Sequence, residues 1–348
     1  MIARLLELKS DRVRLFHVRL AYSDDIGSVG KFAFRKVLIL FATIGRVWWA
    51  RLRHGTTVLY YPPSGPSKVP VLRDLAFLLA TRWLFSKLVL HFHAGGVSGF
   101  GVQLPAFLRP LFRLAYAVPD LAIRTAPQNP DDGAAFGARR NVVVPNGVED
   151  MRGTVPERTA AAGEPLTILF TGVMTETKGV MVVLEAFRSA LAQGLDARVE
   201  LMGKWSDEAF RERCEAYVAQ HGLGERVSYL GVLSGREKFA RFAACDIFCF
   251  PSFYEAETFG LVLLEAMQFA KPVVSTVWRG IPSVVTDQHS GFLVPVQQPE
   301  AVASRLLALR DPELRHRMGQ EGRRIFEREF TLNAFHHHME QEFIGLFP

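Results

Sequence analysis

Short apolar runs alternate with stretches of helical apolar spacing along nearly the whole chain. In the first half the short runs are Val13 to Val18, Val58 to Tyr61, Lys87 to His93, Leu121 to Thr125 and Asn141 to Val144, each of a length that predicts a buried strand. Helical spacing between them predicts helices over Lys31 to His54, Asp74 to Phe85 and Pro105 to Val118. The second half repeats the alternation. Strands are predicted over Leu166 to Phe170, Ala197 to Met202, Val227 to Leu230, Asp246 to Phe250, Pro272 to Ser275 and Gly291 to Val294. Helices are predicted over Gly179 to Ala192, Asp207 to His221, Arg236 to Ala244, Gly260 to Phe269, Pro299 to Ala308 and Glu313 to Glu329. Such alternation predicts an α/β protein of parallel sheets with helices on both faces. An Ala- and Gly-rich stretch at 157–165 suits a linker. The expected division is therefore a Rossmann-like domain over 1–155, a second over 156–325, and a final helix over 326–348 that packs back towards the first.

Length agrees, since 348 residues at roughly 100–200 per domain make two. Hydrophobic residues at 49% against 22% charged exclude a disordered chain. Charge divides the halves. Residues 1–150 carry 20 basic and 10 acidic side chains, +10; the remainder carries 41−20=21 basic and 35−10=25 acidic, −4. An anionic partner is thereby expected for the first half: phosphates or a membrane surface. A motif of a nucleic-acid-binding module is lacking, so nucleic acid is not expected. Three cysteines, Cys214, Cys245 and Cys249, are an odd number, two of them in an apolar run, which predicts buried free thiols in a reducing compartment. Neither a secretory leader nor an apolar run of about 18 residues stands out, so a cytoplasmic protein is expected.

Candidate chemistry concentrates in Pro251 to Met267, where a strand ends at a proline, a loop carries Glu255 and Glu257, and a helix begins near Phe259-Gly260. A helix start offers backbone N–H groups to a diphosphate, and a glycine there permits close approach. Gly260 and Leu261 are placed to supply those groups. Glu265 follows five residues on, about 7.5 Å along a helix, the step from a diphosphate to a ribose. A carboxylate there accepts from vicinal hydroxyls. Two acids eight apart also occur on ordinary solvated helices. The apolar surroundings of Glu265 favour a buried, partnered carboxylate.

Glu257-Thr258-Phe259-Gly260 followed by Leu261 to Met267 resembles the hallmark of glycosyltransferase family 4. Val144 to Val148, Phe170-Thr171-Gly172 with Lys178-Gly179, Gly280-Ile281-Pro282 and Gly291 to Val294 resemble further segments of that family in order and spacing. The likeness covers most of 141–330 and is weak before 140. It implies the GT-B architecture, two facing Rossmann-like domains with a cleft between them. It also implies retaining transfer from a nucleotide-sugar, with neither metal nor other cofactor. Lys178 would then stabilise the leaving diphosphate, Gly172, Thr258 and Phe259 would line the donor, and Glu257 would face the sugar. A cleft histidine is implied at the end of a first-half strand. His93 is the candidate; His91, one step inside, reads as a core histidine. The chain departs from the family at Val173, where an arginine is usual. Lys204 and Arg279 are the candidate replacements. Ser283 stands for a usual glutamate, and Thr258 for a common glycine.

Three other features remain. Asp24 to Lys31 looks like a phosphate-binding loop, but Asp25 stands at its first glycine and Phe32 at its Ser/Thr, so it is rejected. Gly27 and Gly30 fit either a donor-lining loop or a plain strand-to-helix turn. His336-His337-His338 lies on a predicted helix, where consecutive side chains diverge by about 100° and make no single metal site. The stretch Lys31 to His54 holds six Lys and Arg, no acid, and Trp48-Trp49. It suits either the headgroup layer of an anionic membrane or a core helix with basic ends. The resemblance implies a hexosyltransferase acting on a glycan or lipid-linked acceptor in cell-surface polysaccharide synthesis, and the basic, aromatic stretch adds an expected peripheral position on the inner membrane face. The alternative is a nucleotide-sugar-binding protein of the same fold without turnover.

Overall fold

The computed structural model describes residues 2–19, 34–156 and 163–347. They form two compact units, 1–145 with 336–348, and 146–335.

The first unit holds, in order, α1 (Ile2–Leu5), α2 (Phe34–His54), β1 (Val58–Tyr61), α3 (Lys68–Thr81), β2 (Lys87–Phe92), α4 (Val97–Phe100), α5 (Arg109–Tyr116), β3 (Leu121–Arg124), α6 (Asp132–Ala135) and β4 (Asn141–Val143). Its sheet is parallel in the order β1-β2-β3-β4. Val71 and Leu78 of α3, Phe112 and Tyr116 of α5, and Leu90 of β2 are buried together in its core.

The second unit holds β5 (Leu166–Thr171), α7 (Val180–Ala192), β6 (Ala197–Met202), α8 (Glu208–Gln220), β7 (Val227–Gly231), α9 (Gly235–Ala244), β8 (Ile247–Phe250), α10 (Leu261–Met267), β9 (Val273–Thr276), β10 (Gly291–Val294), α11 (Pro299–Ala308) and α12 (Pro312–Ile325). Beyond it α13 (Leu332–Ile344) ends the described helices. The sheet order is β10-β9-β8-β5-β6-β7, all parallel. Strand order therefore reverses between β5 and β8. In an open parallel sheet the crevice beyond the carboxyl ends of such a pair is where ligands bind.

Three expectations need correction. Val13 to Val18 is not a paired strand. Segment 12–19 instead lines, with Thr56 to Tyr61, a cavity of about 920 Å³. Phe16 stacks on His54 at 4.2 Å and Arg14 lies 5.2 Å over Phe16, so side-chain stacking on α2 replaces a backbone ladder. The helix expected from Asp74 starts at Lys68, with Pro70 in its first turn, where a missing N–H costs little. Asp74 is fully buried inside that helix and accepts from Tyr61 Oη and Ser64 N at 2.8 and 2.6 Å. Finally, residues 146–155 belong with the second unit rather than the first. Val148 bridges Thr331, Met151 N donates to Gln268 Oε1 at 2.6 Å, and Asp150 pairs with Arg323 at 2.5 Å.

Candidate active site

Two loops leave the sheet side by side at the reversal, one after β5 and one after β8. Gly179 sits at φ 86°, and a Cβ on it would stand 2.3 Å from Pro251 O, so only glycine allows the loops this close. Phe253 N donates to Thr177 O at 2.8 Å and fastens them further. Lys178 is thereby carried to Glu257, with Nζ 2.6 Å from Oε2. Ser252 Oγ donates to the same oxygen at 3.2 Å, and Nζ lies 4.6 Å from the Tyr254 ring centroid. Glu257 is buried, so this cation and carboxylate are mutually fixed rather than solvated.

Beyond the Glu257 loop, Gly260 caps α10 at φ 75°. Leu261 is exposed at the helix start, while Phe259 turns inward, edge-on to Phe330 at 5.7 Å. Glu265 is buried one turn into α10. Its Oε1 takes Lys238 Nζ of α9 at 2.6 Å, and its Oε2 is enclosed without a hydrogen-bond partner. An enclosed acceptor left unmatched costs about 1–3 kcal/mol, which a donor hydroxyl would recover. Sequence reasoning missed Lys238 and Ser252. Lys238 lies 27 residues before Glu265 on another helix, and no spacing rule links them.

Val173 is exposed and places no cation beside the β5 loop. Of the two candidate replacements, Lys204 is used through its backbone, its carbonyl accepting from Met174 N at 2.8 Å, and is otherwise exposed. Gly203 before it packs so tightly that a Cβ would meet Gly172 O at 1.8 Å. Arg279 is better situated. Trp278 Nε1 donates to Tyr254 O at 2.8 Å, which ties the loop after β9 to the loop that carries Glu257. Arg279 adopts φ 47°, a strained value for a side-chain-bearing residue, and its Nε is enclosed without a partner.

His93 follows β2 in the first unit. Its ring lies 4.0 Å from that of His91, whose Nδ1 meets Tyr60 Oη at 2.8 Å. The turn after it is held by buried Asp132, which accepts from Gly96 N at 2.8 Å and from Ser98 N at 2.7 Å. Burial pushes His93 down to about 4 and His91 well below its usual value. Both histidines are neutral in the folded unit at neutral pH. The unfolded chain takes up protons below about pH 6.5, the folded one only near His93's lower value. Stability is therefore expected to fall as pH drops from about 6.5 towards 4, and His91→Asn should flatten that decline in chemical-denaturation curves measured across the range. An unchanged slope would show that His91 does not titrate on unfolding.

The structure thus gathers Gly172, Lys178, Glu257, Thr258, Phe259, Gly260, Leu261 and Glu265 within one unit, while His93 stands in the other. Gly27 and Gly30 lie outside the described residues. All three cysteines are buried free thiols, each pushed up to about 12, chiefly by burial.

Parallel sheets in both units, the second wound in Rossmann order about this reversal, give the chain the GT-B fold. The chain belongs to the group 1 glycosyl transferases, whose family profile matches residues 152–325, half of its length. It is 34% identical over 161 residues to the putative colanic acid biosynthesis glycosyltransferase WcaL of Salmonella typhimurium, covering 45% of this chain and 39% of that one. A phosphatidyl-myo-inositol mannosyltransferase of Mycobacterium leprae is 32% identical over 179 residues, 51% of this chain and 46% of that one. The match thus spans under half the length of either relative. The fold is shared with Anabaena HepE in complex with UDP, at a TM-score of 0.69 and 16% identity over 87% of this chain and 82% of that one.

Proposed function

We propose that the chain is a retaining glycosyltransferase that moves a sugar from a nucleotide-sugar to a glycan or lipid-linked acceptor in cell-surface polysaccharide synthesis. The observation that carries this is the doubly anchored reversal point, with Lys178 fixed on Glu257 and Glu265 holding one enclosed oxygen open. In the transfer the bond from the anomeric carbon to the diphosphate breaks with its electron pair going to the diphosphate oxygen, the acceptor hydroxyl supplies the new C–O bond, and its proton passes to that leaving oxygen. Negative charge grows on the diphosphate, and Lys178 with Arg279 would meet it. Glu265 Oε2 would accept a ribose hydroxyl. Glu257 would face the sugar. The names of the relatives support a cell-surface glycan product, and HepE's UDP makes uridine donors the first to try.

The test is calorimetry with uridine, guanosine and adenosine diphosphate sugars, followed by transfer assays with and without EDTA. Full turnover in EDTA is expected, because side-chain cations take the metal's role; a strict Mg²⁺ requirement would overturn that part. Arg279→Ala should lower kcat/KM by roughly 10- to 100-fold, the value of one charged hydrogen bond, while Lys204→Ala stays near the parent. The reverse ranking would assign the second cation to Lys204. Val173 favours a second reading, a donor-binding protein without turnover. Tight donor binding with no sugar released or transferred would establish it.

A further inference from the structure

The first unit carries a surface that the transfer chemistry does not use. Residues 34–119 contain 11 Lys and Arg and a single acid, Asp74, which is fully buried. Within that stretch α2 has two apolar stripes. Ile44 and Val47 enter the core. Leu38, Phe41, Trp48 and Leu52 recur at steps of three, seven and four on the outer side, with Phe41 64% and Leu52 85% exposed. A helix needs one apolar stripe to join a core; the second is unexplained by the fold.

The stripe continues onto neighbouring elements. Trp48 Nε1 donates to Ala80 O at 3.0 Å, and Arg51 Nε to Leu84 O at 2.8 Å. Arg82, in the turn after α3, donates to Leu114 O at 2.7 Å and to Ala117 O at 2.8 Å. The end of α2, the turn at 82–84 and the end of α5 are therefore one continuous surface, and Trp83 and Leu114 are exposed on it. Arg109 donates to Val102 O at 2.9 Å, which brings in the turn that bears Phe107, 74% exposed. Arg46, Arg53 and Arg113 stand exposed around these rings and aliphatic chains.

We infer that this face of the first unit docks on the surface of an anionic phospholipid bilayer. Aromatic rings with arginines, on a stretch whose single acid is buried, match a layer that is apolar below and negatively charged above. Among the described residues no helix is long and apolar enough to cross a membrane, so the attachment lies in the plane of the interface. A second copy of the chain fits less well, since a twofold contact through α2 would set Arg46 and Arg53 against their own images. A nucleic acid would meet the arginines yet leave Phe41, Leu52 and Phe107 with nothing apolar to cover them.

The inference is independent of the proposed transfer and is tested on the full chain by flotation with phosphatidylglycerol-containing and pure phosphatidylcholine vesicles. The protein is expected to float with the anionic vesicles at low salt and largely to release at high salt. Arg46→Gln with Arg53→Gln should weaken partitioning by roughly 30-fold, as two surface charges imply. Phe41→Ser with Leu52→Ser should weaken it at least tenfold while leaving nucleotide-sugar affinity in calorimetry at the parent value, which separates this surface from the donor site. A protein that stays at the bottom with anionic vesicles at low salt overturns the inference. So does parental binding by both double variants. A dimer in light scattering that Phe41→Ser with Leu52→Ser dissociates would reassign the face to self-association.

Discussion

Lys178→Ala is expected to lower kcat by roughly 100- to 1,000-fold, the cost of removing one preorganised group that meets growing charge. The loss should appear in kcat more than in KM, because the diphosphate gains charge as the sugar leaves, and only that gain is stabilised differentially. Lys178→Arg should restore little. The lysine reaches Glu257 from a loop pressed on Pro251 by Gly179, and a planar fork does not repeat a compact point charge there. Alanine also leaves the buried Glu257 carboxylate with Ser252 as its remaining hydrogen-bond donor of those described above, so a modest fall in Tm accompanies the variant. Steady-state rates at saturating donor and acceptor, with Tm measured alongside, decide it. A kcat within threefold of the parent would remove Lys178 from the chemistry and leave the pair a structural one.

How much of this the sequence discloses depends on the range of the signal. Glu257, Gly260 and Glu265 are legible because they lie on one continuous strand–loop–helix segment, where chain order fixes spacing. Lys238 is not, because its partner sits across two helices whose packing only the sheet order determines. Apolar alternation at Val13 to Val18 says which side chains seek cover; it is silent on whether the backbone pairs, and here Phe16 finds His54 instead. The helix start expected at Asp74 falls six residues late, and Asp74 is instead a buried acceptor for Tyr61 and Ser64 within the helix. Arg279 is visible in the sequence as a loop arginine. Its φ of 47° and enclosed Nε, which single it out, are properties of the folded backbone alone.

Glu265→Gln is expected to weaken donor binding by about 1–3 kcal/mol, or roughly 5- to 150-fold in Kd. The geometry makes the expectation specific. Oε1 is already committed to Lys238 at 2.6 Å, so Oε2 alone is open to a ligand, and it is enclosed. One open oxygen should read the ribose through a single charge-assisted hydrogen bond. The parent should then prefer a ribonucleoside diphosphate over its deoxy counterpart, and Glu265→Gln should erase most of that preference. Lys238→Met separates orientation from mere stability. If the lysine only neutralises a buried carboxylate, the variant lowers Tm and keeps the ribose preference. If it aims Oε2, the preference shrinks together with Tm, and the Glu265→Gln, Lys238→Met pair is less than additive in binding free energy. Calorimetric Kd values for both nucleotides across the four proteins give the coupling directly. Equal affinity for ribo- and deoxyribonucleotides in the parent chain would place the ribose elsewhere and return Glu265 to the role of a packed ion pair.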